Sequence, residues 1–176
     1  MRYSSLLPLL LLALPLASAS PQPALPRDFV LHDTAGTAVG VVTVRERDQR
    51  IQIRVQVRRL SRGLHGMHLH EVGLCQVPGF ESAGGHLNPG GTLRHGRKNP
   101  QGAHLGDLGN ITVGGDGRGD KTVEVGGGEA RAGMKTFLGL GREGGLALVV
   151  HAGRDDELTD PAGNSGARLA CAVLAP

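Results

Sequence analysis

Ile51-Gln52-Ile53-Arg54-Val55-Gln56-Val57 decides the fold class of this chain. Branched apolar residues at every second position, with polar residues between them, have the period of two that buries one face of a β-strand. Working outward, Val39 to Val44 is a second strand, and Arg45 to Gln49 joins the two as a hairpin loop. His65 to His70, Asn110 to Val113, Lys121 to Val125, Leu146 to His151 and Ala167 to Leu174 read as five more. No stretch carries helical periodicity, and 29 glycines supply turns. Short strands with glycine-rich connections predict an all-β antiparallel sandwich or barrel. Two segments, Val72 to Leu108 and Ala152 to Gly166, are too long for simple turns and read as functional loops. Gly126 to Gly128 and Gly144 to Gly145 neither open a helix nor carry the lysine of a phosphate loop, so they are turns.

The first 19 of the 176 residues hold one charge at Arg2, an apolar run from Leu6 to Leu16, and the small residues Ala17-Ser18-Ala19. That pattern is a secretory signal peptide cut after Ala19, too short in its apolar part to span a bilayer. The expected protein is therefore exported, periplasmic or extracellular, with no membrane association after cleavage. Residues 20–28 are rich in proline and form a mobile leader, and 29–176 make one domain. Loss of Arg2 leaves 18 basic against 16 acidic residues, a net +2 too mild to argue for nucleic acid or a membrane surface.

Cys75 and Cys171 are the only cysteines, and export makes a disulfide between them the expected state, against free thiols or a metal pair. Closing a loop of that length adds about 4 to 5 kcal/mol on chain-entropy grounds.

Seven of the eight histidines fall between Leu64 and His151. Imidazole is the usual ligand for copper and zinc, so the concentration reads first as a metal centre. His68 and His70 lie two apart on a strand and share a face, with Met67 and Leu69 pointing into the core. His151 ends a separate apolar strand that, if paired beside the first, would reach the same ion. His86, His95 and His104 are spaced by nine on the first long loop, with Asp107 three further on. Three imidazoles and a carboxylate suit tetrahedral zinc, whereas an all-nitrogen set suits copper. His32 and His65 read as surface or structural residues instead.

Four segments carry a family resemblance: Gly63-Leu64-His65-Gly66-Met67-His68-Leu69-His70-Glu71, Ala83-Gly84-Gly85-His86-Leu87-Asn88-Pro89, Gly106-Asp107-Leu108-Gly109-Asn110, and Gly163-Asn164-Ser165-Gly166-Ala167-Arg168-Leu169-Ala170-Cys171. In this order they resemble the copper/zinc superoxide dismutases, from about Phe29 to the C-terminus. The ten residues between Cys75 and His86 and the short stretch from His151 to Arg168 look like the bacterial exported branch. The resemblance implies an eight-stranded antiparallel Greek-key barrel or sandwich with two long functional loops. It assigns copper to His68, His70, His86 and His151, and zinc to His86, His95, His104 and Asp107, with His86 bridging. It makes Asp155 the carboxylate linking a zinc-bound to a copper-bound imidazole, and Arg168 the cation that holds the anionic substrate. It also gives the Cys75–Cys171 bridge the task of tying the first long loop to the last strand. The implied reaction is dismutation of superoxide to oxygen and hydrogen peroxide by alternating reduction and oxidation of copper, with His86 carrying a proton.

Two positions and one loop depart from the usual pattern. Met67 stands where phenylalanine is common, and Ala162 where threonine or serine is common. The loop from Ala152 to Gly166 has Asp155, Asp156, Glu157 and Asp160 but only Arg154 as a base, so lysine steering from that loop is absent. Arg54, Arg58, Arg59 and Arg62 read as a solvated sheet face rather than as steering groups. Few aromatic residues remain in the mature chain, which leaves monomer and homodimer both open. The principal rival function is a non-enzymatic copper- and zinc-binding protein of the same fold. A zinc hydrolase ranks last, because four protein ligands would close the zinc.

Overall fold

The computed structural model describes residues 25–47, 50–125 and 134–175. The expected signal segment and most of the leader lie outside the described residues. Eight antiparallel strands are present: β1 (Arg27–Asp33), β2 (Ala38–Arg47), β3 (Arg50–Val57), β4 (Gly63–His70), β5 (Asp107–Val113), β6 (Gly119–Val125), β7 (Leu146–His151) and β8 (Arg168–Leu174). Their hydrogen-bonded order is β5-β4-β7-β8-β1-β2-β3-β6, a nearly closed barrel. β3 pairs with β6 instead of the next strand in sequence, and β4 pairs with β7, which are Greek-key crossings.

The alternation in β3 does what its period requires. Ile51, Ile53 and Val55 are fully buried in the core with Val42 and Val44 of β2, while Arg50, Arg54 and Gln56 face solvent. Each such side chain contributes about 1.5 to 3 kcal/mol by leaving water. Pairing of β2 with β3 continues to Arg47 opposite Arg50, so the hairpin connection is shorter than the five residues expected. The ion pairs Arg54–Asp120 and Arg50–Glu124 line the outer face of β3 and β6, which places Arg54 on a solvated sheet face. Arg58, Arg59 and Arg62 are also exposed.

Three elements were not foreseen from residue patterning: β1, a single 3-10 turn (Glu81–Ala83) in the first long loop, and a one-turn-and-a-half helix α1 (Met134–Leu138) whose Phe137 and Leu138 are fully buried in the core. The outer faces of β7 and β8 are not bare. Ala147, Val149 and Cys171 pack there with Phe80, Ala83 and Cys75 from the first long loop, and the Cys75–Cys171 disulfide joins the layers at a Cα separation of 5.8 Å. That bridge clamps the first loop over the sheet beside the histidine-bearing strand ends.

Candidate metal centre

β4 is buried from His65 to His70, and its two faces have different duties. Met67 and Leu69 fill the core, so His68 and His70 project from the opposite face beneath the two long loops. The pairing of β4 with β7 sets His151 beside them, and an isolated bridge between His70 and His86 delivers the fourth ring. One ligand atom from each of His68, His70, His86 and His151 lies within 4.8 Å of the others. Opposite ligands of an ion held at about 2.0 to 2.1 Å are about 4 Å apart, so this group is the right size for a metal.

The hydrogen-bond partners fix which nitrogen faces inward. A carbonyl only accepts, so His70 Nδ1 donates to Gly84 O at 2.9 Å and His151 Nδ1 donates to Gly166 O at 3.0 Å. His68 Nε2 donates to Asp155 Oδ2 at 2.9 Å. The remaining nitrogens, His68 Nδ1, His70 Nε2, His86 Nε2 and His151 Nε2, are buried and have no hydrogen-bond partner. Four lone pairs aimed at one another in a buried space are a poor packing arrangement and a good ligand set. Burial, reinforced by the neighbouring rings, pushes His70 down to about 2 and His151 down to about 3, which keeps both neutral. Burial also lowers His86, to about 4, although Asp107 pulls the other way.

A second group converges on Asp107. Its Oδ1 lies 3.0 Å from His86 Nδ1, 3.0 Å from His95 Nδ1 and 3.3 Å from His104 Nδ1. The two 3.0 Å distances are hydrogen bonds from His86 and His95, and the 3.3 Å to His104 is close to the roughly 3.3 to 3.4 Å that separates ligand atoms of a tetrahedral ion, so the group is compact enough to share one. His68 also comes close enough to join His86, His95 and Asp107 within 4.8 Å, but its Nε2 is engaged by Asp155 and its free Nδ1 belongs to the first group. His104 Nδ1, buried and without a hydrogen-bond partner, is the other nitrogen within reach of Asp107. Backbone N–H groups of Gly96 and His104 both donate to Asp107 Oδ2, which orients the carboxylate. Burial opposes the charged form of Asp107, yet hydrogen bonds from His86 and His95 outweigh it and hold the carboxyl far below the usual range.

Asp155 ties the groups together. Its Oδ2 accepts from His68 and its Oδ1 from His95 Nε2, both at 2.9 Å. Asn110, on β5, grips the Asp155 backbone in turn: Asn110 Oδ1 accepts from Asp155 N–H at 2.8 Å and Asn110 Nδ2 donates to Asp155 O at 2.9 Å. Sequence reading gave Asn110 no role, although an asparagine inside a strand, where its type is disfavoured, was a usable signal. Gly163 was likewise unforeseen. It has φ of +62°, and a Cβ there would collide with Asp155 Oδ1 and the His95 ring. Gly163→Ala should therefore weaken metal retention by the second group about tenfold, measured by zinc titration against a competing chelator, since partners of this kind hold the ligand rings in place.

Arg168 begins β8 opposite His151, where a register irregularity in the β7–β8 pairing sits. Its guanidinium donates to Phe80 O at 2.6 Å and to Gly84 O at 2.8 Å, the second being the carbonyl that also orients His70. Two anchored nitrogens leave further donors of this half-buried cation near the first group. His65 has a different fate. Its ring nitrogens face His151 O and Ser61 O, each at 2.8 Å, so it is a structural brace, and His32 is exposed on β1.

A family model described as copper/zinc superoxide dismutase matches residues 38–174. The chain belongs to the copper/zinc superoxide dismutase family. It is 38% identical to "Superoxide dismutase [Cu-Zn] 2" of Aquifex aeolicus over 90% of this chain and 92% of that protein. It is 41% identical to the superoxide dismutase-like protein YojM of Bacillus subtilis over 79% of this chain and 70% of that one. Among solved structures, a SOD-like protein from Bacillus subtilis superposes with a TM-score of 0.74 at 39% identity, covering 84% of this chain and 97% of the other.

Within the copper/zinc superoxide dismutase family, the unusual positions now have surroundings. Met67 is fully buried in the core, a place that a flexible side chain fills readily. Ala162 is half-buried, and its carbonyl accepts from Ser165 Oγ at 2.7 Å. The acids of the second long loop are occupied within it and across to the first: Asp156 accepts from Thr159 and Asn164, and Asp160 accepts from the His95 N–H and from Arg94 of the first long loop. They brace the loops that carry the ligand rings.

Proposed function

We propose that this protein is an exported superoxide dismutase, taking two superoxide anions and two protons to oxygen and hydrogen peroxide. Copper would be held by His68, His70, His86 and His151, and zinc by His86, His95, His104 and Asp107, with residues 1–19 removed on export and 29–176 forming the working domain. The observation that carries this reading is the quartet of buried, unpartnered ring nitrogens with Arg168 beside it. Bound there, copper would supply a one-electron redox centre and zinc a fixed Lewis acid.

The chain's own residues then have separable duties. Arg168 attracts and docks a small anion, because a guanidinium stays charged at any working pH. His86 directs Nδ1 to the second group and Nε2 to the first, so Nε2 can take up a proton and deliver it to the reduced product while Nδ1 keeps the ring anchored. Asp155 and the carbonyls of Gly84 and Gly166 hold the other rings in the tautomers that present lone pairs inward. The disulfide fits an oxidising compartment, either periplasm or exterior.

A second reading keeps the metals and drops the turnover, and it is favoured by the Bacillus subtilis relative, which is named superoxide dismutase-like. Superoxide decay measured on the mature protein loaded with copper and zinc separates the two. Rapid copper-dependent turnover is expected, and Arg168→Ala should lower kcat/KM about tenfold at low ionic strength, with metal content unchanged and a smaller difference at high salt. Two tightly held metals without turnover would establish the metal-binding reading instead.

A further inference from the structure

The barrel is open along one line, where β5 and β6 form the two ends of the hydrogen-bonded order. Along β6 the burial alternates, so Lys121, Val123 and Val125 share the more buried side. Val123 and Val125 pack on the core, whereas Lys121 places a cation on the same side of an edge strand. Its Nζ crosses the seam and donates to Asn110 O at 2.6 Å. Among the described residues, Lys121 makes no salt bridge; burial lowers its pKa, Arg97 adds to that, and Glu157 opposes it. A lysine in such a setting calls for a reason beyond packing, because its charge and its flexible stem both resist burial.

Asn110 is the residue whose side chain grips Asp155 through both its amide groups, and Asp155 holds His68 and His95 through its two oxygens. The path from the Lys121 ammonium to both metal-facing rings is thus three sets of hydrogen bonds, joined by the covalent frames of Asn110, held at its backbone carbonyl, and of Asp155, held at its backbone by the Asn110 side chain. We propose that Lys121 is a positioning residue: by holding the Asn110 carbonyl across the open seam, it fixes the frame from which Asn110 presents Asp155 to His68 and His95. The inference rests on the metal assignment proposed above.

Lys121→Met keeps the length and loses the donor. In the mature full-length protein it should weaken zinc binding about threefold to tenfold, measured by competition with a chromophoric chelator, and should alter the Cu(II) electron paramagnetic resonance spectrum. Val123→Ala, on the same side of β6 but outside the hydrogen-bonded path, should lower the unfolding midpoint and leave zinc affinity and the spectrum unchanged. Wild-type zinc affinity in Lys121→Met overturns the proposal, as does an equal loss in Val123→Ala. Self-association of Lys121→Met at unchanged zinc affinity would assign the lysine to guarding the strand edge instead. A wild-type chain that binds no zinc would fail the metal assignment itself and take this inference with it.

Discussion

Replacing both Cys75 and Cys171 with serine should lower the stability of the metal-free protein by about 4 to 5 kcal/mol, roughly three orders of magnitude in the folding equilibrium. The bridge closes a loop of 96 residues, more than half the chain, so its removal restores a large part of the unfolded chain's freedom. The folded side adds to the loss, because the serines would leave hydroxyls in the apolar layer formed by Phe80, Ala83, Ala147 and Val149. The effect also reaches the site: Phe80 O anchors Arg168, and Cys171 lies three residues beyond Arg168 on β8. Equilibrium denaturation without metals measures the change free of the stabilisation that bound ions would add. A difference below about 1 kcal/mol would sink the loop-closure account. A matching loss of substrate docking in the metal-loaded variant is expected from the freed Arg168.

What the sequence revealed of this fold was its period. Six strands came from alternation or apolar runs bounded by turns, and the last strand was placed within a residue of its start, Ala167 against Arg168. β1 escaped because its apolar part, Phe29-Val30-Leu31, is three consecutive residues with no alternation, and only pairing with β2 and β8 reveals it as a strand. The family resemblance, not the residue pattern, implied eight strands. Helix α1 escaped for a geometric reason: five residues make too few turns to display a helical period. β5 starts at Asp107, three residues before the reading from Asn110, because Asp107 is held among the histidines and Leu108 packs in the core, contacts that no local pattern records.

The ligand types were legible for the same reason as the strands. A period of two places His68 and His70 together, and the apolar run ending at His151 places that ring at a strand terminus. The partners of those rings were not legible. Gly84 O, Gly166 O, the Asn110 amide and the space reserved by Gly163 are contacts between loops distant in sequence, and backbone carbonyls carry no residue signature at all. They decide which nitrogen of each ring faces inward.

Asp155→Asn tests that deciding layer with almost no change in shape. Both His68 and His95 present an Nε2–H to Asp155, so both require an acceptor there. Asparagine offers one oxygen and turns an NH2 toward the other ring, leaving a buried donor facing a donor. The cost falls on whichever ring loses its partner, and that ring either rotates or changes tautomer, which withdraws Nδ1 from its group. His95 is the more sensitive of the two, because both of its ring nitrogens are engaged, by Asp107 and by Asp155, whereas His68 Nδ1 has no hydrogen-bond partner. Zinc affinity should therefore fall tenfold to a hundredfold, by the size of effect typical for carboxylates that orient metal-bound imidazoles. Zinc competition titration reads the loss, and cobalt substitution followed by its visible spectrum reads the geometry. Unchanged affinity with an unchanged cobalt spectrum would mean that the loops alone orient His95 and that Asp155 is a passive neighbour. A fall in zinc affinity with copper retained would place its action on the second group, where its Oδ1 meets His95.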